Sequence, residues 1–339
     1  MEEQKRIEWI DVTRGLAIIL VIILHSCTSA IRDNCFGVYL LYMFTVTLAV
    51  PVLSFLSGIA MAVHRDRYMS MRTFEFIMKK FYRLMIPYIT YAVLVYLIFE
   101  ILSHVSFLST VMDNAGYGRM SSLLFLRGLL LGDNDYSIHL WFLYALFWNE
   151  ILMFCALKYL KKNVFLIIIL AICILYLRTF DISNPLPTGW SWGINTFVFY
   201  ILGLLIGKRK LKNTTVITAA AIWMLFFLVF PINHIWNYDA NHPSRVIIPY
   251  MGIIVIPVIG KSFKGKLAEM LKFLGQKSMS LYLFQQPFWG SALGTILYSS
   301  LRVPAYMAVF LCITASFSIP LFFSYIFGRY KCFKVLFGI

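Results

Sequence analysis

Apolar runs of roughly 18 to 25 residues recur along this chain, the length an α-helix needs to cross the hydrocarbon core of a bilayer. A soluble domain stays near half apolar, with about a quarter of its residues charged. Here 60% of 339 residues are apolar and only 13% are charged. The excess is divided among separate runs and is not pooled in one core. A membrane β-barrel would instead alternate apolar and polar residues over about ten positions. The expected fold class is therefore all-α, a polytopic membrane helical bundle.

The runs lie near 13–31, 38–63, 84–102, 138–157, 163–180, 190–207, 214–231, 246–260, 273–297 and 304–328, which predicts about ten transmembrane helices. The second is long and holds Pro51, and the eighth is short and holds Pro249 and Pro257. Breaks of this kind are tolerated where neighbouring helices satisfy the freed backbone groups. No linker is long and polar enough to set off a soluble domain, and no fixed-period repeat occurs. Residues 1–339 read as a single membrane-embedded domain. The longest connection, 103–137, contains SLLFLRGLLLG at 122–132, too short to cross and expected to lie at the interface or re-enter.

A net charge of +15 invites a nucleic-acid reading, but the placement of the charge argues against that partner. Most of the 30 Lys and Arg fall in the N-terminus, the even-numbered connections and the tail. The opposite connections hold Arg32, Arg119, Arg127, Arg178, Arg245 and Arg302. The positive-inside rule then predicts cytoplasmic termini and a multi-pass protein of the cytoplasmic membrane, with membrane lipids as its surroundings. Six scattered cysteines show no CxxC or Cys/His spacing, so neither a disulfide frame nor a metal site is expected. Glu2, Glu3, Glu8 and Asp11 crowd a region that a signal peptide keeps basic, so the first span is expected to persist.

That first span reads RGLAIILVIILHS over 14–26. Eleven helical residues turn about 1100°, some 20° past three turns, and rise about 16.5 Å. Arg14 and His25 therefore share one face, and Asp11, three residues before Arg14, meets it on that face. Two readings of the face stand. In one, the arginine snorkels and the histidine bonds between helices. In the other, a neutral imidazole shielded from water accepts a proton, and Arg14 holds an anionic or carbonyl group at the helix mouth.

Further residues carry a resemblance. The run WIDVTRGLAIILVIILHS, through Asp11, Arg14, Gly15 and His25, resembles the opening signature of the acyltransferase-3 family of integral-membrane O-acyltransferases. FLSGIAMA at 55–62 resembles that family's Ser-Gly motif, through Ser57 and Gly58. KKFYRLMIPY at 79–88 resembles its basic approach to the third span, through Arg83, Leu84, Pro87 and Tyr88. HLWFLYALF at 139–147 resembles its Leu-Trp-Phe-Leu segment. FLGQKSMSLYLFQQPF at 273–288 resembles its closing block, through Gly275, Ser278, Tyr282 and Pro287. The five pieces fall in order across roughly 9–330, and the fucose 4-O-acetylase-like branch is the most similar in flavour. Gln285 stands where members usually carry a histidine, so no role passes to it. Lys80 and Arg83 stand where the family often has two arginines, and a lysine lacks the planar fork for bidentate binding.

The resemblance implies transfer of an acyl group, expected to be acetyl, from cytosolic acyl-CoA to a hydroxyl of a cell-envelope or exported glycan or lipid-linked sugar. Acetyl-CoA is then the donor and no metal takes part. His25 is the expected general base or transient acyl carrier, with Arg14 beside it. Lys79, Lys80 and Arg83 are expected to hold the CoA phosphates, although basic residues there also satisfy the positive-inside rule. Asp11 and Ser57 support the site, and Glu150 either orients His25 or pairs with a cation inside the bundle. His139 and Trp141, which follow the long connection, are the expected acceptor-binding residues. The alternative class is a secondary transporter or flippase for an anionic or sugar-linked lipid, which would also place charge inside a bundle.

Overall fold

The computed structural model describes residues 7–105, 109, 112, 117–160, 167, 170, 171, 174, 186–207, 213–232 and 244–338. Among the described residues the regular elements are helices, and no strand occurs. In chain order the helices are α1 (Glu8–Ser26), α2 (Ser29–Arg32), α3 (Phe36–Val46), α4 (Ala49–Val63), α5 (Arg65–Ser70) and α6 (Thr73–Lys80). A π-helical turn, Phe81–Met85, leads into α7 (Ile86–Ser103), followed by α8 (Ser122–Leu131). A 3-10 turn, Asp135–Leu140, leads into α9 (Trp141–Tyr159). Then come α10 (Thr188–Ile206), α11 (Asn213–Ile232), α12 (Ser244–Ser262), α13 (Gly265–Gln276) and α14 (Ser278–Phe284). Mixed π and α turns fill 288–300 before α15 (Ala305–Phe327) and α16 (Lys331–Phe337).

Six helical stretches among the described residues are long and apolar enough to span a membrane: Glu8–Ser26, Phe36–Val63, Thr73–Ser103, Ser122–Tyr159, Thr188–Ile206 and Ala305–Phe327. Thr214–Leu225 and Ile248–Ser262 are shorter apolar helices. The difference from about ten has local causes. The run at 163–180 lies largely outside the described residues. The run at 273–297 is interrupted, because the helix stops at Phe284 and resumes beyond Pro287, whose missing N–H cannot continue the ladder. The segment at 122–132 forms a ten-residue helix closed by Gly132 in the left-handed region (φ 70°).

Prolines explain the other breaks. The long second run divides at Thr47–Leu48 into α3 and α4. Pro51 then lies in the first turn of α4, where a backbone N–H has no partner within the helix. Pro249 and Pro257 lie inside α12, which stays continuous from Ser244 to Ser262.

The first helix is the hub, packing against α3, α4, α12, α13, α14 and α15. Its hydroxyls bond along the helix itself, Thr13 to the Trp9 carbonyl at 2.7 Å and Ser26 to the Ile22 carbonyl at 2.8 Å. No polar side chain of that pair is then left facing an apolar neighbour unpaired. Two close crossings set the frame. A Cβ on Gly15 would fall 2.0 Å from the Leu271 carbonyl oxygen, and one on Gly275 would fall 1.9 Å from that of Asp11. A Cβ on Gly58 would fall 1.9 Å from the Tyr200 carbonyl oxygen, and one on Gly203 would fall 2.0 Å from that of Phe55. Only glycine lets α1 meet α13, and α4 meet α10, with backbones in contact.

Candidate active site

The site is built along α1, with ionic groups toward its first turns and imidazoles toward its last. At the first turns Arg14 Nη1 donates to Asp11 Oδ1 at 2.9 Å, as the three-residue spacing predicts. Asp11 is buried, and its second oxygen accepts no hydrogen bond from the described residues. The carboxylate also sits well for the dipole at a helix start.

The three basic residues near the third span diverge. Lys80 is 4% exposed, and its ammonium pairs with the Glu150 carboxylate of α9, itself 8% exposed. The same ammonium lies 4.9 Å from the centre of the Tyr68 ring and 5.2 Å from that of Phe76. Lys79 is half-buried, 5.3 Å from the Tyr68 ring, and Arg83 is exposed in the π turn. Neighbouring helical residues point about 100° apart, so Lys79 and Lys80 serve different faces. Of the two readings of Glu150, pairing with a cation is the one its contacts follow. Lys80 is held inside the bundle by that pair.

Toward the end of α1 the polar groups are imidazoles and amides. His25 is half-buried, and its imidazole lies in the neighbourhood of that of His139. His139 is 4% exposed, with its ring between Tyr91 and Tyr282, each 5.9 Å away centre to centre. One face of that environment is fixed by hydrogen bonds: Tyr282 donates to the His139 carbonyl, and the ring bonds to the Leu283 backbone. Its Nε2 has no partner among the described residues. A buried polar atom without a partner costs about 1–3 kcal/mol, so a site that offers one is suited to a ligand that completes it.

The break after α14 supplies the third wall. Tyr91 donates to the Gln286 carbonyl at 2.6 Å, and Ser291 donates to Gln286 Oε1 at 2.8 Å. Gln286 Nε2 reaches the His25 carbonyl at 3.5 Å. Gly290 passes so close that a Cβ there would lie 3.2 Å from the same carbonyl. Gln285, at the position where histidine is usual in the resembling family, is fully buried, and both its side-chain polar atoms are unpaired among the described residues.

Of the remaining predicted residues, Ser57 donates to the Leu53 carbonyl one turn back at 2.9 Å, which leaves its oxygen only as an acceptor. Trp141 heads α9 with its ring edge-on to Trp192 at 5.0 Å. Sequence reasoning missed Tyr91, Gln286 and Ser291. Tyr91 sits in an apolar span with no spacing signal, whereas Pro287 could have marked its neighbour Gln286 as a place where backbone and side chains are freed.

A family model described as an acyltransferase domain, Acyl_transf_3, matches residues 7–328. No curated protein and no solved structure matches the chain. The matched region contains α1, the histidine pair and the broken segment after α14.

Proposed function

The chain belongs to the acyltransferase-3 family and is a multi-pass membrane acyltransferase; from that premise we propose that it moves an acetyl group from acetyl-CoA to a sugar hydroxyl of an envelope or exported glycan, in the cytoplasmic membrane. The fucose 4-O-acetylase-like branch belongs to the same proposal. The observation that carries it is the approach of two imidazoles, His25 and His139, from segments 114 positions apart in sequence.

In this reading the two ends of α1 receive different reactants. CoA phosphates meet the exposed Arg83, the half-buried Lys79 and the partly exposed Arg14. Lys80 contributes indirectly, by fixing α6 to α9 through Glu150. The pantetheine arm lies along α1, which brings the thioester to His25. His139 Nε2 and Trp141 hold the acceptor so that its hydroxyl faces His25.

His25 then accepts the hydroxyl proton as the oxygen attacks the thioester carbonyl. The tetrahedral intermediate collapses with loss of the CoA thiolate, which takes the proton from His25. The ester and free CoA are the products, and the imidazole returns to its neutral form. The amide of Gln286 is placed to hold the α1 backbone at His25 while the proton moves.

The test is transfer of label from acetyl-CoA to candidate glycans by the purified protein in nanodiscs. His25→Ala should reduce transfer by about 10²- to 10⁴-fold, the usual contribution of a positioned acid–base, with no loss of folded protein. Undiminished turnover in that variant would exclude His25 as base or acyl carrier. Uptake of a sugar lipid into vesicles without ester formation would replace catalysis by transport.

A further inference from the structure

The stretch SLYLFQQPF, 280–288, places a proline four residues after Leu283. A helical carbonyl accepts from the N–H four residues on, and proline has no N–H to give. The Leu283 carbonyl therefore loses its helical donor. A change of register releases a second carbonyl. Gly290 donates five residues back, to Gln285 at 2.9 Å, in the π pattern of Phe288–Ala292. In α register that N–H would have gone to Gln286. Two backbone acceptors are thus released inside the bundle, where each needs a donor from another segment.

Both find one. Tyr91 of α7 donates to the Gln286 carbonyl at 2.6 Å. The His139 ring, from the turn before α9, donates to that of Leu283. Its Nε2 has no partner among the described residues, so the donating nitrogen is Nδ1. We propose that the break at Pro287 locks His139 as its Nδ1–H tautomer, and that the acceptor-only Nε2 receives a donor group of the acyl acceptor, other than the hydroxyl that is acylated. What the site receives rests on the acyltransferase reading above; the tautomer rests on the break alone. Pro287 is then a positioning residue that acts through His139.

A neutral imidazole carries one N–H, and the bond made by one nitrogen sets the state of the other. With the proton on Nδ1 and turned to a carbonyl, Nε2 presents a lone pair. A thioester carbonyl, a tetrahedral oxyanion and the CoA phosphates are themselves acceptors, and gain nothing from it. An O–H or N–H does. The lock therefore keeps His139 from serving as the oxyanion donor and turns it toward the acyl acceptor. Because His25 takes the proton of the reacting hydroxyl in the reading above, the group at His139 is a second donor on the same molecule.

The surroundings hold the ring in that orientation. Tyr282 donates to the carbonyl of His139 itself, which fixes the backbone. The Tyr91 and Tyr282 rings stand at 82° and 54° to the imidazole. Leu283 is fully buried, so a flipped imidazole would leave its carbonyl without a donor and without water.

The experiment is solid-state NMR on the full chain in lipid bilayers, with 15N-histidine and 13C-carbonyl leucine, and with His139 assigned by the signals lost in His139→Gln. The native protein should show Nδ1 protonated, Nε2 unprotonated, and a dipolar contact between Nδ1 and the Leu283 carbonyl carbon. A protonated Nε2, or no such contact, would overturn the lock, and neither reading needs a variant. Pro287→Ala restores an N–H that competes for the carbonyl, and should move the tautomer ratio about tenfold toward Nε2–H, the worth of one hydrogen bond. A folded Pro287→Ala protein with an unchanged ratio would overturn the part given to proline. Methyl fucoside should move the Nε2 signal and its fully O-methylated derivative should not; equal movement, or none with either, would overturn the assignment of Nε2 to a donor. Acetyl-CoA affinity should be unchanged in His139→Phe, and a tenfold loss would put Nε2 on the thioester side instead. The spectra require no turnover, so a protein that shows the lock and transfers no acetyl sinks the enzyme reading alone.

Discussion

The two ends of α1 solve opposite problems with polar residues. The ionic groups come in pairs of opposite sign: Arg14 with Asp11 and Lys272 with Glu8 at the first turns of α1, and Lys80 with Glu150 between α6 and α9. Toward the last turns the polar groups are imidazoles and amides, and several of their atoms lack partners among the described residues, with His139 Nε2 and both polar atoms of Gln285 among them. An ion inside a bundle must be neutralised locally, because the desolvation cost is several kcal/mol. An uncharged imidazole or amide can stand unpaired for about 1–3 kcal/mol and be completed later. The ion pairs therefore build the frame, and in the proposed reading the unpaired polar groups at the other end receive the substrate.

The sharpest way to break that contrast is to remove a charge from the frame. Glu150→Ala leaves the Lys80 ammonium buried without its carboxylate, and the expected cost is about 3–5 kcal/mol, read as a fall in thermal midpoint or loss of folded protein in detergent. The double change Lys80→Met/Glu150→Leu should recover most of that stability, since a buried pair replaced by apolar groups of similar volume is often neutral. A double variant as unstable as the single one would mean that the ion pair is not what Glu150 does.

The opposite end should respond in activity and not in stability. His139→Phe keeps a ring between Tyr91 and Tyr282 and removes the unpaired Nε2, so the thermal midpoint should move by less than the equivalent of about 1.5 kcal/mol. If His139 holds the acceptor as proposed, acceptor KM should rise about 10- to 100-fold through loss of that hydrogen bond, with CoA binding unchanged. A large stability loss with normal KM would place His139 in the frame instead.

This division also explains what a single sequence could and could not tell. The helical class is legible because hydrocarbon thickness sets run length, and the meeting of Asp11 with Arg14 is legible because helix geometry sets it. From sequence Glu150 either orients His25 or pairs with a cation, and its choice of Lys80, 70 positions away, depends on how α6 and α9 pack. Gly15, Gly58 and Gly275 stood out as motif residues, and only the structure reveals them as the points where backbones touch. The convergence of His25, His139 and Gln286 comes from three segments with no shared period, so nothing local encodes it.

The smallest effect expected is at the exposed Glu8–Lys272 pair, which ties the start of α1 to α13. The Glu8 carboxylate, through its hydrogen bond and its charge, raises the Lys272 pKa above the ordinary 10.5. A lysine whose folded pKa is raised contributes stability that is fully present below its unfolded pKa and is lost as pH rises through the folded one. The difference in thermal midpoint between the native protein and Lys272→Met should therefore be constant from pH 7 to about pH 10, and should shrink only above about 10.5. It should also shrink in salt, because an exposed pair is screened where Lys80–Glu150 is not. Equal salt sensitivity at both pairs would erase the distinction between a surface tie and a buried frame, since the two would then share one dielectric environment.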